Sequence, residues 1–228
     1  MKTVDAVKTE KQEKMKSEIK RENLVPMLQK IADMMAEKKD ELGELDSKLG
    51  DGDLGLTMSK GYGALPEIAA SLEEPDLGKA IAKAGMKMSS IVPSTMGFLM
   101  SSGLMTGGKA ISGKSSMDAA AYPVFLRGFA DGIIKRGKCA PGDRTILDAL
   151  DGAAAASEKL LSENPGASLL EAARAAEQGA ENGAEATKEM EPKFGKAAVH
   201  KAAAKGIVDQ GALAGLYVVR ALREFIEE

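Results

Sequence analysis

The chain has 228 residues, 44% of them hydrophobic and 29% charged, which is typical of a globular domain and excludes disorder throughout. Only 4% are aromatic, so the core must consist of aliphatic side chains and 13 methionines, which favours helices over a β-sandwich. A net charge of −3 gives no basic field for nucleic acid, and one cysteine and one histidine exclude cysteine-rich and multi-histidine metal sites.

Residues 1–20 are dense in charge and nearly without large apolar side chains. We expect them to form a charged arm or helix extension outside the core, followed by one domain over residues 21–228. They lack the apolar stretch of a signal peptide. The longest uncharged stretch, residues 88–108, is too rich in glycine and hydroxyl residues for a membrane span. We therefore expect a cytoplasmic protein without a membrane segment.

Apolar residues recur at intervals of three, four and seven over residues 24–45, which predicts one long helix. Asp143 is expected to cap a later helix, and Ser168 with Glu171 forms a capping-box pattern. The remaining helical patterns cover about residues 55–72, 77–91, 97–105, 115–135, 143–161, 168–189, 195–205 and 211–227. The sequence thus predicts an all-α protein of about eight helices and no strand, packed as a compact antiparallel barrel or bundle.

The segment LDSKLGDGDLGLTM, residues 45–58, interrupts this pattern with Asp46, Asp51 and Asp53. Three carboxylates this close together repel one another unless a hard cation such as Mg²⁺ neutralises them. A polar turn in which Asp53 caps the next helix is an equally weighted alternative for these acids alone. An EF-hand does not fit, because the twelfth position counted from Asp51 is Tyr62 rather than glutamate.

Glycines at positions 50, 52 and 55 are interleaved with these acids. Glycine allows the backbone to approach an anion closely, and the N-terminus of the following helix offers free N–H groups for a phosphate. The usual P-loop pattern is absent from the sequence. A metal–phosphate site accounts for both the acids and the glycines.

The segment LDSKLGDGDLGLTMSKG resembles the nucleotide-binding subunit (L subunit) of dihydroxyacetone kinases, whose hallmark is an aspartate, three residues and then GDGDHG. Three further segments resemble motifs of this family in the expected order: SIVPSTMGFLMSSG (90–103), RGKCAPGDRTILDAL (136–150) and VDQGALAG (208–215). The resemblance covers about residues 24–226. It implies a barrel of eight antiparallel helices with the nucleotide at one end.

The resemblance also implies roles for individual residues. Asp46, Asp51 and Asp53 would be the catalytic and metal-binding residues, coordinating two Mg²⁺ ions that bridge the phosphates of ADP or ATP. The implied nucleotide contacts are Leu54, Gly55, Leu56 and Thr57 along the phosphates, Thr95 and Met96 in the glycine-rich loop, Gly137 and Ile146 at the base, and Lys196, Asp209, Gln210 and Gly211. This sequence departs from the family at Leu54, Lys196 and Gln210, which replace histidine, arginine and proline.

A phosphoryl-presenting subunit of a two-component kinase for dihydroxyacetone or a related small ketose is the function implied. Its partner would be a substrate-binding kinase subunit, and the phosphoryl source either ATP or a phosphotransferase-system protein that rephosphorylates bound ADP. A homodimer is also compatible with the sequence. Two alternatives remain: a kinase component acting on a fatty acid carboxylate, and a nucleotide-binding regulatory or adaptor module without turnover.

Overall fold

The structure is a computed structural model that describes residues 15–199 and 201–228. Most of the predicted charged arm (residues 1–14) and His200 lie outside the described residues. The described chain is mainly helical, which confirms the predicted all-α class. Its α-helices are α1 (Leu24–Glu37), α2 (Lys39–Ser47), α3 (Leu54–Gly63), α4 (Leu65–Ala70), α5 (Leu77–Ile91), α6 (Thr95–Ala110), α7 (Ala121–Gly137), α8 (Ile146–Glu163), α9 (Leu169–Ala186), α10 (Lys201–Ala204) and α11 (Gln210–Glu227).

The helices pack in a closed ring. Each of α5, α6, α7 and α8 packs against the helix that follows it. Helix α9 contacts α11, α11 contacts α1, and α1 contacts α4, which packs against α5 and closes the ring. The inside of the ring is filled by apolar side chains such as Met27, Tyr62, Phe125 and Val219. This is the eight-helix barrel expected from the sequence. The pair α1 and α2 counts as one of the predicted helices, and so does the pair α3 and α4; the short α10 is not part of the ring.

Small residues allow the helices to approach closely, which is how a chain poor in aromatic residues fills its core. At the crossing of α8 and α9, a Cβ atom on Gly179 would lie 2.2 Å from the carbonyl oxygen of Gly152. Only glycine permits that approach. The single long helix predicted over residues 24–45 is interrupted at Lys38, which separates α1 from α2.

A short antiparallel sheet corrects two of the sequence expectations. The strand β1 (Glu18–Lys20) pairs with β2 (Ser116–Asp118), with Ile19 opposite Met117. Both of these side chains are fully buried. The expectations of no strand and of a segment outside the core up to residue 20 are therefore wrong at residues 18–20, because a partner strand about a hundred residues away covers Ile19.

Helix α8 is capped differently from the sequence prediction. Its N-cap is Thr145, whose hydroxyl accepts a hydrogen bond from the Leu147 N–H at 3.2 Å, while Asp148 accepts from the Thr145 N–H at 2.7 Å. Asp143, the predicted cap, instead accepts from the Ala140 N–H. The capping box of Ser168 and Glu171 at the start of α9 is confirmed.

Three short 3-10 segments complete the described chain: Arg21–Asn23, Thr187–Glu189 and Lys196–Val199. The last two lie in the connection between α9 and α11, which crosses one end of the barrel beside the loop between α2 and α3. In the part of the chain that the structure describes, no helix is both long enough and apolar enough to cross a bilayer.

Candidate functional site

Three aspartates from the end of α2 and the following loop converge at the N-terminus of α3. Asp46 lies in the last turn of α2 and is only 6% exposed, whereas Asp51 and Asp53 are exposed. One carboxylate oxygen from each residue lies within 4.8 Å of the other two. The three acids thus come together as their spacing suggested; their role as metal ligands stays a prediction.

The glycines of this loop serve contacts within the chain. Gly52 has φ +76°, in the left-handed region that favours glycine. A Cβ atom on Gly50 would lie 2.4 Å from Oδ1 of Asp46, so glycine leaves room for that carboxylate. A Cβ on Gly55 would lie 1.8 Å from the carbonyl oxygen of Lys39, so glycine lets α3 pack on α2. Gly50 and Gly55 therefore have a packing reason of their own, beside the anion contact expected from the sequence.

Asp46 is held from two sides. Its Oδ2 accepts a hydrogen bond from the Leu54 N–H at 3.3 Å, and its Oδ1 accepts one from Nε2 of Gln210 at 3.1 Å. Asp53 occupies the N-cap position of α3, but within the described chain its side chain makes no capping hydrogen bond. The alternative in which Asp53 merely caps the helix therefore lacks the contact that it requires.

The pKa values of the two exposed acids shift in opposite directions. Partial burial, together with the negative charges of Asp51 and Asp46, raises the pKa of Asp53. A hydrogen bond from the Lys196 ammonium lowers the pKa of Asp51. A cation bound between the carboxylates would remove the repulsion felt by Asp53.

The acidic loop forms one wall of an open cleft of about 380 Å³. Most of the residues singled out in the sequence line it, although they come from five separate segments of the chain. These are Asp46, Asp51, Asp53, Leu54, Thr95, Met96, Ile146, Lys196, Asp209, Gln210 and Gly211.

An adjoining cavity of about 490 Å³ shares Thr95, Ile146 and other lining residues with the cleft and adds Gly137. Gly137 and Ile146, the two residues that the resemblance places at the base, thus border the same space. Phe98 and Phe194 also line this cavity and were not singled out in the sequence.

Three of the predicted phosphate contacts, Gly55, Leu56 and Thr57, do not line either cavity. Gly55 is packed against α2, Leu56 is 59% exposed, and Thr57 is buried in α3. They form the first turn of α3, where the N–H groups of residues 55 and 56 have no acceptor within the helix. Gly55 and Leu56 can contact an anion through these N–H groups, whereas the Thr57 N–H already donates to the carbonyl oxygen of Asp53 at 2.9 Å.

The segment 193–196 lies along the cleft and is tied at each end to an acidic residue. Lys193 forms an ion pair with Asp143, before α8, and Lys196 forms one with Asp51, before α3. Between them, Gly195 has φ +67°. Lys196 therefore reaches the acidic loop although it is far away in sequence.

Asp209 is the N-cap of α11, where its Oδ2 accepts from the Ala212 N–H at 2.9 Å. It is buried, and burial raises its pKa to about 6, an effect only partly offset by this hydrogen bond and by the charge of Arg144. Its carboxylate is therefore engaged at the helix start as well as bordering the cleft.

Arg144 also lines the cleft but was absent from the predicted site residues. It is 2% exposed, and its guanidinium donates to the carbonyl oxygens of Thr187, Ala204 and Ile207 at 3.0, 3.0 and 2.8 Å. It thereby anchors the connection that carries Lys196. No local pattern signals this role, because all three carbonyl groups lie more than 40 residues away.

The protein-family comparison matches a model described as the DAK2 domain over residues 48–224. The chain is 34% identical over 203 residues to the triokinase/FMN cyclase of Rattus norvegicus, covering 88% of this chain but only 34% of that protein. It is 27% identical over 208 residues to the PEP-dependent dihydroxyacetone kinase, ADP-binding subunit DhaL, of Escherichia coli, covering 90% of this chain and 96% of the relative. It thus spans about a third of the rat protein and nearly all of the bacterial subunit.

Among solved structures, the chain resembles the dihydroxyacetone kinase of C. freundii in complex with AMP-PNP and Mg²⁺, with a TM-score of 0.65 and 24% identity. The match covers 88% of this chain and 33% of that one. At this identity the likeness establishes the fold. The family expected from the four sequence motifs is confirmed by the family model and these relatives.

Proposed function

The chain belongs to the DAK2 domain family, and we propose that it binds a magnesium nucleotide and presents its terminal phosphoryl group to an acceptor hydroxyl on a separate subunit. The acceptor would be dihydroxyacetone or a related small ketose. The names of the relatives support this choice, since they include dihydroxyacetone, triose and D-erythrulose kinases.

The observation that carries the proposal is the convergence of Asp46, Asp51 and Asp53 beside the N-terminus of α3, within a cleft. The donor set fits Mg²⁺, because it consists of carboxylate oxygens, and the open side of the cleft leaves room for phosphates and water. We propose that the three aspartates hold two Mg²⁺ ions. Bound there, the ions would neutralise charge on the phosphates.

The residues of the chain would act mainly by positioning. The N–H groups of residues 55 and 56, which have no acceptor within α3, would donate to phosphate oxygens, and Lys196, once released from Asp51, would add a positive charge there. Gly137 and Ile146 border the cavity proposed for the base. In phosphoryl transfer, such positioning and charge neutralisation supply most of the rate enhancement.

A partner must supply the acceptor. The bacterial relative is named as a subunit, and the chain covers nearly all of it, which supports a two-component enzyme with a substrate-binding kinase subunit. The nucleotide is either ATP that exchanges or ADP that stays bound and is rephosphorylated by a phosphotransferase-system protein. The relatives support both possibilities, since one is named as PEP-dependent and ADP-binding and one solved structure is a complex with AMP-PNP and Mg²⁺.

The test measures thermal stabilisation by Mg²⁺ with ADP or ATP. A ligand at about 100 times its dissociation constant adds roughly 2.7 kcal/mol to the free energy of unfolding. Asp51→Ala should remove the shift while leaving the helical circular dichroism spectrum intact, whereas Glu191→Ala, at an exposed acid outside the cleft, should keep it. EDTA should weaken nucleotide binding severely in the unsubstituted chain.

Turnover is tested separately, with a substrate-binding subunit, dihydroxyacetone and either phosphoryl source. Steady formation of the phosphorylated ketose supports the proposal. Nucleotide binding without transfer in any combination would favour the regulatory or adaptor alternative. Nucleotide affinity unchanged in EDTA would count against the metal site itself.

A further inference from the structure

The side chain of Gln210 is hydrogen-bonded to Asp46, one of the proposed metal ligands. Its Nε2 donates to Oδ1 of Asp46 at 3.1 Å, which joins the start of α11 to the end of α2 across 164 residues. Asp46 is the buried member of the acidic trio, and the Leu54 N–H holds its other oxygen. Each carboxylate oxygen still has a lone pair that can bind a cation.

The orientation of the Gln210 amide follows from chemistry. An ionised carboxylate only accepts hydrogen bonds, so the NH₂ group must face Asp46 and the carbonyl oxygen must point away from it. That oxygen, Oε1, is buried and has no hydrogen-bond partner among the described residues, and Gln210 lines the cleft. A buried acceptor without a donor is costly, and a water molecule held by a nearby cation would satisfy it.

The backbone at Gln210 is fixed by its neighbours. Gln210 is the first residue of α11, and the N-cap Asp209 is held by the Ala212 N–H and, through its own N–H, by Thr187. The side chain of Gln210 thus projects from a rigid helix start towards Asp46. Asp51 and Asp53, by contrast, are exposed loop residues.

We propose that Gln210 is a positioning residue that fixes the Asp46 carboxylate for cation binding. The inference rests on the proposed function. It assigns to Gln210 a role through Asp46 that the proline of the related family motif, which has no side-chain amide, cannot perform.

The experiment titrates Mn²⁺, followed by electron paramagnetic resonance, into the chain without nucleotide and then with ADP. Gln210→Met removes the amide but keeps the length of the side chain, and should weaken Mn²⁺ binding roughly tenfold, as for other groups that orient metal ligands. Gln210→Pro should do the same and still fold. Proline is favoured at the first helical position, and Asp209, at φ −66° and ψ 127°, already has a conformation that can precede proline.

Gln29→Met is the matched control, because it removes a Gln-to-Asp hydrogen bond (Nε2 to Oδ1 of Asp33, 2.8 Å) on the exposed face of α1. It should leave Mn²⁺ affinity unchanged. The effect of Gln210→Met should also disappear in an Asp46→Asn background, since Gln210 acts through that carboxylate. The melting temperatures in EDTA identify any general loss of stability.

Unchanged Mn²⁺ affinity in Gln210→Met, or an equal loss in the Asp46→Asn background, overturns the role of Gln210 and leaves the proposed function standing. Mn²⁺ binding that depends on Gln210 without any nucleotide binding supports the inference and overturns the proposed function. A chain that binds no Mn²⁺, with or without ADP, overturns both.

Discussion

The ammonium group of Lys196 is hydrogen-bonded to Oδ2 of Asp51, a residue 145 positions earlier in the chain. Both side chains are at least half exposed. This ion pair engages a carboxylate that the proposed cation needs. Cation and Lys196 therefore compete for Asp51 until a phosphate offers Lys196 another partner.

Lys196→Met should accordingly have opposite effects on two ligands. Mn²⁺ alone should bind roughly two- to fivefold more tightly, a range that fits a solvent-exposed ion pair. ADP in saturating Mg²⁺ should bind more weakly, because a positive charge near the phosphates is lost. Calorimetric titration of each ligand measures the two effects independently.

Lys83→Met is the control for this substitution. Lys83 forms a comparable ion pair with Glu74 at 2.6 Å but lies on α5, away from the cleft. It should change neither affinity. If Lys196→Met weakens Mn²⁺ binding instead of strengthening it, Lys196 supports the metal site and the competition between Lys196 and cation does not exist.

Asp209 gives a prediction about pH. Burial raises its pKa to about 6 from an ordinary value of 3.8. A carboxyl group whose pKa is raised by folding holds its proton better in the folded state, so its contribution to stability falls as the pH rises from 3.8 to about 6. A shift of about two pKa units corresponds to a change of roughly 3 kcal/mol in the free energy of unfolding between these pH values.

We therefore compare the free energy of unfolding of Asp209→Asn with that of the unsubstituted chain. The difference should favour the variant more at pH 7 than at pH 4, because asparagine carries no charge at either pH. Asparagine can still cap α11, so the helix start is kept. The measurement is denaturant unfolding in EDTA at both pH values. A difference in free energy of unfolding between the two proteins that stays constant from pH 4 to pH 7 contradicts the prediction.

Asp76→Asn provides a control of opposite sign. Asp76 caps α5; its partial burial acts to raise its pKa, but hydrogen bonds from the Lys79 and Gly113 N–H groups lower the pKa overall. A lowered pKa contributes stability that is present at neutral pH and lost as the pH falls. Replacing Asp76 should therefore destabilise the protein more at pH 7 than at pH 4.

The features that could be predicted from the sequence are local ones. Asp46, Asp51 and Asp53 lie within eight residues, so a short loop is enough to bring them together. The approximate positions of most helices follow from helical patterns and from the breakers between them, and the cap of α9 follows from the Ser168–Glu171 pattern. The family was predictable because its motifs retain their order and spacing.

The features that could not be predicted depend on closure of the barrel. The contacts of Lys196 with Asp51 and of Gln210 with Asp46 each join residues more than 140 positions apart, and no periodicity encodes them. Ile19 looks like an isolated apolar residue until β2 is placed beside it. Asp143 and Thr145 are both good capping residues two positions apart, and only the tertiary contacts of Asp143 decide between them.

The last prediction concerns Arg144, whose guanidinium holds three carbonyl groups of the connection between α9 and α11. Lysine keeps the charge but presents a point donor in place of a planar fork, so it cannot serve three acceptors in this arrangement. Arg144→Lys should lower the free energy of unfolding by about 3 kcal/mol, since each hydrogen bond from a charged donor contributes about 1.5–3 kcal/mol. The freed connection should become sensitive to trypsin, which can cleave after lysines such as Lys188, Lys193 and Lys205.

Limited trypsin digestion with mass spectrometry locates the cleavage, and Arg127→Lys is the matched control. Arg127 is partly exposed at the protein surface, where it forms two hydrogen bonds to Glu158 at 2.9 Å and an ion pair with Asp151. Arg127→Lys should change the free energy of unfolding by less than about 1 kcal/mol and leave the connection protected.

Because Lys196 is carried by the connection that Arg144 anchors, Arg144→Lys should also weaken magnesium–ADP binding. A variant with early cleavage in residues 188–205 and unchanged nucleotide affinity would show that the connection does not take part in the site.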